Sequence, residues 1–170
     1  MKKILLILLS IAVIGYVMAQ SAYGRYSSRK TQDGTIFFIM PMKLKKLSGI
    51  SFFEYDMTLL NWTDSIVLNF TFESNSMSMP EDLKIISNDK DIICNSFSPL
   101  FVDIKKKNYE IRISAKFGIS DFENILNATD SPKICFSQDG QIKQATYRES
   151  SWRDERKKLN DILQLYLHTK

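Results

Sequence analysis

Apolar and polar residues alternate along Phe52 to Glu73 in two runs, and the alternation admits a single register. Phe53, Tyr55, Met57 and Leu59 form the first apolar series, and Ile66, Leu68, Phe70 and Phe72 the second. Pairing Leu59 with Ile66 sets Met57 opposite Leu68, Tyr55 opposite Phe70 and Phe53 opposite Phe72, so the hairpin gathers its large apolar side chains on one face. Glu54, Asp56 and Thr58 share the wet face with Val67, Asn69 and Thr71. Asn61-Trp62-Thr63-Asp64 is the four-residue loop between the arms, because Asn and Asp side chains bond nearby backbone amides and hold a turn.

The same period recurs later. Leu100, Val102 and Ile104 alternate up to the turn Lys105-Lys106-Lys107, and Tyr109, Ile111, Ile113, Ala115 and Phe117 continue beyond it. The implied register pairs Ile104 with Tyr109, Val102 with Ile111 and Leu100 with Ile113. It also sets Asp103 opposite Glu110, a like-charge pair that Lys105 and Arg112 are near enough to offset. Leu83–Ile86 and Ile92–Asn95 predict a minor hairpin around Ser87–Asp91. Lys133–Ser137 and Ile142–Tyr147 predict another, turning at Asp139-Gly140. Thr35–Met42 is apolar without alternation, as in a strand covered on both faces, and Pro41 removes a ladder donor there. Gln20–Gly34 lacks sustained periodicity and reads as a flexible arm or an edge strand turning at Asp33-Gly34. Lys43–Gly49 reads as a link, and Ser74–Pro80 as a loop.

Two stretches change period. Ser120–Asn127 has helical spacing at Phe122, Ile125 and Leu126, with Ser120 as cap and Glu123 three residues on. In the final segment Trp152, Leu159, Ile162, Leu163 and Tyr166 share one helical face, with Ser151 and Asp154 at capping-box spacing. The predicted fold is therefore mainly β: an antiparallel β-sandwich built from hairpins, with one short internal helix and a C-terminal amphipathic helix over 151–168.

The first nineteen residues belong to a different class. Lys2-Lys3, the apolar run Ile4 to Val17 and the exit Val17-Met18-Ala19 predict a signal peptide over 1–19. The run is shorter than the roughly 20 residues that span a bilayer, so no transmembrane anchor is expected after its removal. That leaves an arm over 20–34 and one β-rich domain over 35–170. Removing Lys2 and Lys3 lowers the excess from +4 to 21 basic against 19 acidic residues, net +2. This excess is too small and too scattered for nucleic acid. Export into an oxidising compartment would let Cys94 and Cys135 pair, closing a loop of about 40 residues worth about 3 to 4 kcal/mol. Two separate buried thiols are the alternative, and the sequence leaves both open.

Chemistry is sparse. His168, beside the C-terminus, is the only histidine, so a Ser-His-Asp or Cys-His mechanism would rest on a fraying end. One His and two distant Cys give no zinc-ligand spacing, and the glycines form no phosphate-cradling cluster; no metal and no cofactor are expected. The candidate binding residues are Glu54, Asp56 and Asn69, whose oxygens and amide on the wet strand face could meet a hard cation or a sugar, and Trp62, whose indole offers a stacking surface. Asn61, Asn69 and Asn127 each begin an N-x-T sequon.

The leader, with Ala19-Gln20 at its exit, resembles those of exported proteins of Bacteroides-type bacteria. Asp64-Ser65-Ile66 resembles the acidic-hydroxyl-aliphatic motif that such bacteria use for O-glycosylation, which would make Ser65 the modified residue. The chain as a whole is similar to small exported proteins of that group, a resemblance that implies no activity. The expected function is a periplasmic, cell-surface or secreted non-enzymatic binding or accessory domain with a protein or glycan partner. A second reading is a calycin-like barrel around a small apolar ligand, since about eight strands and a final helix suit that plan, although the early Gly-x-Trp motif is missing. A hydrolase built on Glu54 and Asp56 is the third.

Overall fold

The alternation at Phe53–Leu59 and Ile66–Phe72 builds the centre of a six-stranded antiparallel sheet. The computed structural model describes residues 24–94 and 96–170; the expected leader, its Ala19-Gln20 exit and the first residues of the arm lie outside the described residues. The strands of the larger sheet are β1 (Tyr26–Lys30), β2 (Thr35–Lys43), β4 (Phe53–Leu60), β5 (Ser65–Ser74), β8 (Ser96–Lys105) and β9 (Asn108–Gly118), in the order β1-β2-β4-β5-β9-β8. The smaller sheet has the order β3-β11-β10-β6-β7, from β3 (Lys46–Ser48), β6 (Lys84–Ser87), β7 (Lys90–Ile93), β10 (Lys133–Gln138) and β11 (Gln141–Thr146). Two helices complete the fold, α1 (Ile119–Asn127) and α2 (Glu149–Thr169).

The β4–β5 register is the one the alternation dictates, with Phe53, Tyr55, Met57 and Leu59 opposite Phe72, Phe70, Leu68 and Ile66. All eight are buried. The inner face of the large sheet is covered in two portions. The small sheet lies over one end, where Phe136 packs on Phe70 and Phe72 with ring centroids 5.9 and 4.7 Å apart. The helices lie over the other, where Tyr166 meets Phe37 edge-on at 6.4 Å and Phe122 meets Phe117 at 6.3 Å. The result is an antiparallel β-sandwich with helices filling part of the second layer.

Tight turns form where the sequence places their residues. Asn88-Asp89 and Asp139-Gly140 both take positive φ, as a two-residue hairpin turn needs. Tyr26–Lys30 is an edge strand on β2, so the described part of the expected arm belongs to the sheet.

Several expectations are corrected. β2 is covered on one side only: Phe37 and Ile39 are buried while Phe38 and Met40 are exposed, because no element among the described residues overlies the outer face of the sheet. Its register shifts between Ile39 and Met42, around Pro41. The link after β2 contains β3, which pairs with β11 through Leu47 and Ala145. Leu100 does not face Ile113. Pro99 does, and an irregularity between Pro99 and Phe101 leaves Leu100 exposed. Beyond it the register is as expected, and Lys105 offsets the like charges with Nζ 2.6 Å from Glu110 and 3.2 Å from Glu73. Both helices begin early. α1 starts at Ile119, where the Gly118 N–H donates to Asp121 Oδ2 at 3.2 Å. α2 follows Arg148 and has no side-chain cap, which leaves Ser151 and Asp154 inside its first turns.

Of the two cysteine readings the structure has the separate thiols: Cys94 and Cys135 are free and buried. Cys135 of β10 faces Lys84 of β6, which faces Ile93 of β7, and Cys94 follows Ile93. A whole strand therefore lies between them, roughly 10 Å at two strand spacings, and adjacent positions alternate faces. A bridge requires Cα atoms within about 7 Å. The barrel is corrected by the two separate sheets. The apolar void between them, bordered by Met57, Leu68, Ile85, Phe122, Trp152 and Leu159, measures about 40 Å³, against roughly 300–1,000 Å³ for ligand pockets.

Candidate functional site

Strand alternation sends Glu54, Asp56, Asn69, Thr71 and Arg112 to the outer face of the large sheet, where neighbouring strands bring them into contact. Asn69 Nδ2 donates to Asp56 Oδ1 at 2.8 Å. Arg112 donates to the other Asp56 oxygen and, at 2.9 Å, to Thr71 Oγ1. Asp56 is thus engaged on both oxygens, while Glu54 lies 4.0 Å from Lys43. No three acidic, His or Cys side chains gather to hold a metal among the described residues.

Trp62 stands apart from this face. It sits on the β4–β5 loop, and the four positions from Asp56 to Leu60 alone span roughly 13 Å. Its indole is 40% exposed and lies so close to Gly34 that a Cβ added there would meet Cε3 at 2.9 Å. Ser65, the expected O-glycosylation residue, is half-buried with Oγ 3.5 Å from Thr63 Oγ1. Its neighbour Asp64 pairs with Lys170, and Ile66 is in the core.

A buried polar network locks β1 to α2. Arg25 Nε donates to both Glu155 oxygens at 2.9 and 3.1 Å, and Nη2 donates to Oε1 at 2.5 Å. Tyr55 Oη donates to the same carboxylate at 3.4 Å and shares a hydrogen bond with Tyr147 Oη. Burial pushes the Tyr55 hydroxyl well above its ordinary range, and the Glu155 charge pushes it further. Burial works against the Arg25 charge, but the bonds and charge of Glu155 outweigh it and raise its pKa. Every polar atom named here is paired, so this is a latch rather than an open site.

The third cluster is open. The inward-facing positions of three strands end in polar residues: Ser74 after Phe70 and Phe72, Gln138 after Ile134 and Phe136, and Lys143 before Ala145. All three are buried. Lys143 Nζ donates to Gln138 Oε1 at 2.5 Å and to Ser74 Oγ at 3.1 Å, and Ser74 Oγ donates to Gln138 Oε1 at 2.8 Å. The Ser76 N–H donates to Ser74 Oγ at 3.2 Å, and Gln138 Nε2 donates to the Ser78 carbonyl. Burial lowers the Lys143 pKa, with the Asp139 charge only partly restoring it. No carboxylate forms an ion pair with Lys143 among the described residues.

Ser74 and Lys143 reach a cleft of about 320 Å³ at this end of the sandwich, whose rim carries Ser51, Glu73, Asn75, Asn108 and Gln141. Gly49 forms part of the wall with φ +73°, and a Cβ there would lie 3.2 Å from the Ile142 carbonyl. The sequence reading placed Ser74 at the start of a loop and Gln138 in a turn. Continuing each alternation by two residues would have turned both inward beside Lys143.

No family model matches the chain, nor does any curated protein or solved structure.

Proposed function

We propose that this chain is an exported β-sandwich binding domain whose cleft at the Ser74–Lys143 end takes a hydroxyl-rich ligand of the glycan type. Export is supported by Lys2-Lys3, the apolar run to Val17 and the small-residue exit at Ala19. The glycan reading is carried by one observation: the rim holds the side-chain amides of Asn75, Asn108 and Gln141, none of them hydrogen-bonded to another side chain among the described residues, beside the Glu73 carboxylate and the Ser51 hydroxyl. An amide offers two donors and an acceptor, which suits vicinal hydroxyls that both give and accept. A volume near 320 Å³ lies at the lower end of the ligand-pocket range of roughly 300–1,000 Å³. The expected partner, a protein or a glycan, is narrowed in this reading to a glycan. The outer face at Asp56 is set aside, because its carboxylate already holds Arg112 and Asn69.

Nuclear magnetic resonance titration of the protein with a panel of neutral mono- and disaccharides tests the reading. Amide shifts are expected at Asn75, Asn108 and Gln141. Asn108→Ala and Gln141→Ala should each weaken binding roughly three- to tenfold, the worth of one neutral hydrogen bond. Trp62→Ala should leave binding unchanged. A panel that moves no cleft resonance, or full affinity in both amide variants, defeats the proposal.

A further inference from the structure

The feature that sugar binding leaves unused is the floor of the cleft. A lysine buried to 4% exposure that forms no ion pair among the described residues is costly, since an ammonium removed from water is normally paired, and the exposed Asp139 acts on it through its charge alone. Its two acceptors, Ser74 Oγ and Gln138 Oε1, are neutral. Such an amine gives up its proton more readily than a solvated one, in keeping with the lowering that burial produces here. The Ser74 hydroxyl gives its proton to Gln138 Oε1 while Lys143 is an ammonium; once the amine 3.1 Å away is neutral, the hydroxyl can turn that proton to Nζ, which makes Lys143 a base beside a nucleophile that reaches the cleft. A third group orients the base: Gln138 is fully buried and its Nε2 is held by the Ser78 carbonyl, so its Oε1 fixes the Lys143 head. This is the nucleophile, base and orienting group of a serine triad, with lysine in place of histidine. It needs no histidine, which removes the objection raised by the single His168.

We propose that Ser74 and Lys143 form an acyl-transfer dyad that hydrolyses esters bound in the cleft, O-acyl groups on a sugar being the substrate class. The substrate class rests on the glycan reading above, whereas the dyad does not. Neutral Lys143 Nζ takes the proton of Ser74 Oγ as the oxygen bonds to the ester carbonyl carbon. The tetrahedral intermediate collapses, the bond to the alkoxy oxygen breaks, and that oxygen leaves with the proton held on Lys143. Water then gives a proton to Lys143 and its oxygen attacks the acyl-serine; the Ser74 oxygen departs and recovers the proton. The products are an alcohol and a carboxylic acid, and no electron is transferred to an oxidant. The Ser76 N–H, 3.2 Å from Ser74 Oγ, is a backbone donor beside the attacking oxygen. Gln138 is a positioning residue.

Initial rates with para-nitrophenyl acetate and with an O-acetylated methyl xyloside, followed on the full protein, test this together with mass mapping of the serine that a fluorophosphonate phosphonylates with loss of fluoride. Hydrolysis of the aryl ester above buffer is expected, with the label on Ser74. Ser74→Ala and Lys143→Met should each lose at least about 100-fold, the ordinary worth of a nucleophile or positioned base. Lys143→Met keeps the length of the buried chain, and its thermal melt controls for folding. The rate should rise with pH to a plateau set by Lys143, and Gln138→Leu should move that rise to a different pH, an effect that lost packing alone would not produce. A wild-type rate equal to buffer, or equal rates in wild type and a folded Ser74→Ala, overturns the dyad even if sugars bind. Aryl ester hydrolysis at Ser74 with no turnover of the acetylated sugar and no sugar binding leaves the dyad standing and removes its carbohydrate substrate.

Discussion

Glu155 is the residue whose replacement should cost most. It is 1% exposed and accepts three bonds from Arg25 and one from Tyr55. Removing one member of a buried ion pair leaves the other charge stranded, which costs about 3–5 kcal/mol, far more than the pair itself contributes over an apolar replacement. Glu155→Ala should therefore lower the urea midpoint by that equivalent, and Tyr55→Phe by only about 1 kcal/mol, because Glu155 retains Arg25. If equilibrium urea unfolding ranks these two variants the other way, the latch does not hold β1. Glu155 lies three positions after Trp152 and four before Leu159, on the apolar stripe of α2. A carboxylate there was the one visible sign of a buried partner, but the partner, Arg25, lies 130 positions away and no local pattern points to it.

At the scale of elements, what could be read was what alternation and turn chemistry determine locally. The β4–β5 register followed because one residue of slip would turn the four large apolar side chains of one arm to water. The Asp139-Gly140 turn followed because few other pairs take positive φ twice. What escaped was set by distant layers. β2 looked covered on both faces because Phe38 and Met40 are apolar, yet no layer among the described residues overlies them. The β8 register shifts between Pro99 and Phe101, which leaves Leu100 exposed. The turn before β2 shows how such distant constraints act. A Cβ on Gly34 would meet Asn61 Oδ1 at 2.1 Å and Trp62 Cε3 at 2.9 Å, at φ +150°. Asn61 Oδ1 accepts the Thr35 N–H at 2.8 Å, and its Nδ2 donates to the Thr169 carbonyl at 2.6 Å. Gly34→Ala should thus disturb a β-turn, a hairpin loop and the end of α2 together and cost about 2–3 kcal/mol. Gly140→Ala, with φ +69° but open space around it, should cost about 1 kcal/mol. Equal melting temperatures for the two variants would show that backbone strain alone, not the contact with Asn61, makes Gly34 necessary.

For the whole molecule, the legible part was the apolar layer and the illegible part was the polar groups it encloses, and these groups govern stability at high pH. The Cys94 thiol is pushed up to about 11 from an ordinary value near 9, mainly by burial and secondarily by the Asp121 charge. Between those values the unfolded chain has lost the proton that the folded chain keeps. Stability is therefore fully present below about pH 9 and falls as pH rises toward 11, by at most about 2–3 kcal/mol for two units. Tyr55, raised well above 10, adds a loss that begins only near pH 10. Lys143 acts in the opposite sense, because its lowered pKa means that the folded state gives up its proton first, and stability gains with pH until the unfolded lysine also deprotonates near 10.5. The urea midpoint of the wild type is expected to decline above pH 9 on balance. Burial also raises the Cys135 thiol, which adds a loss of the same sense starting near pH 9. Replacing both cysteines by Ala removes the two thiols and leaves the gain from Lys143 between pH 9 and 10, so there the curve of the doubly substituted chain should run level or upward. A decline of wild-type size in the doubly substituted chain over that interval would mean that the thiols are not the groups that set the alkaline limit.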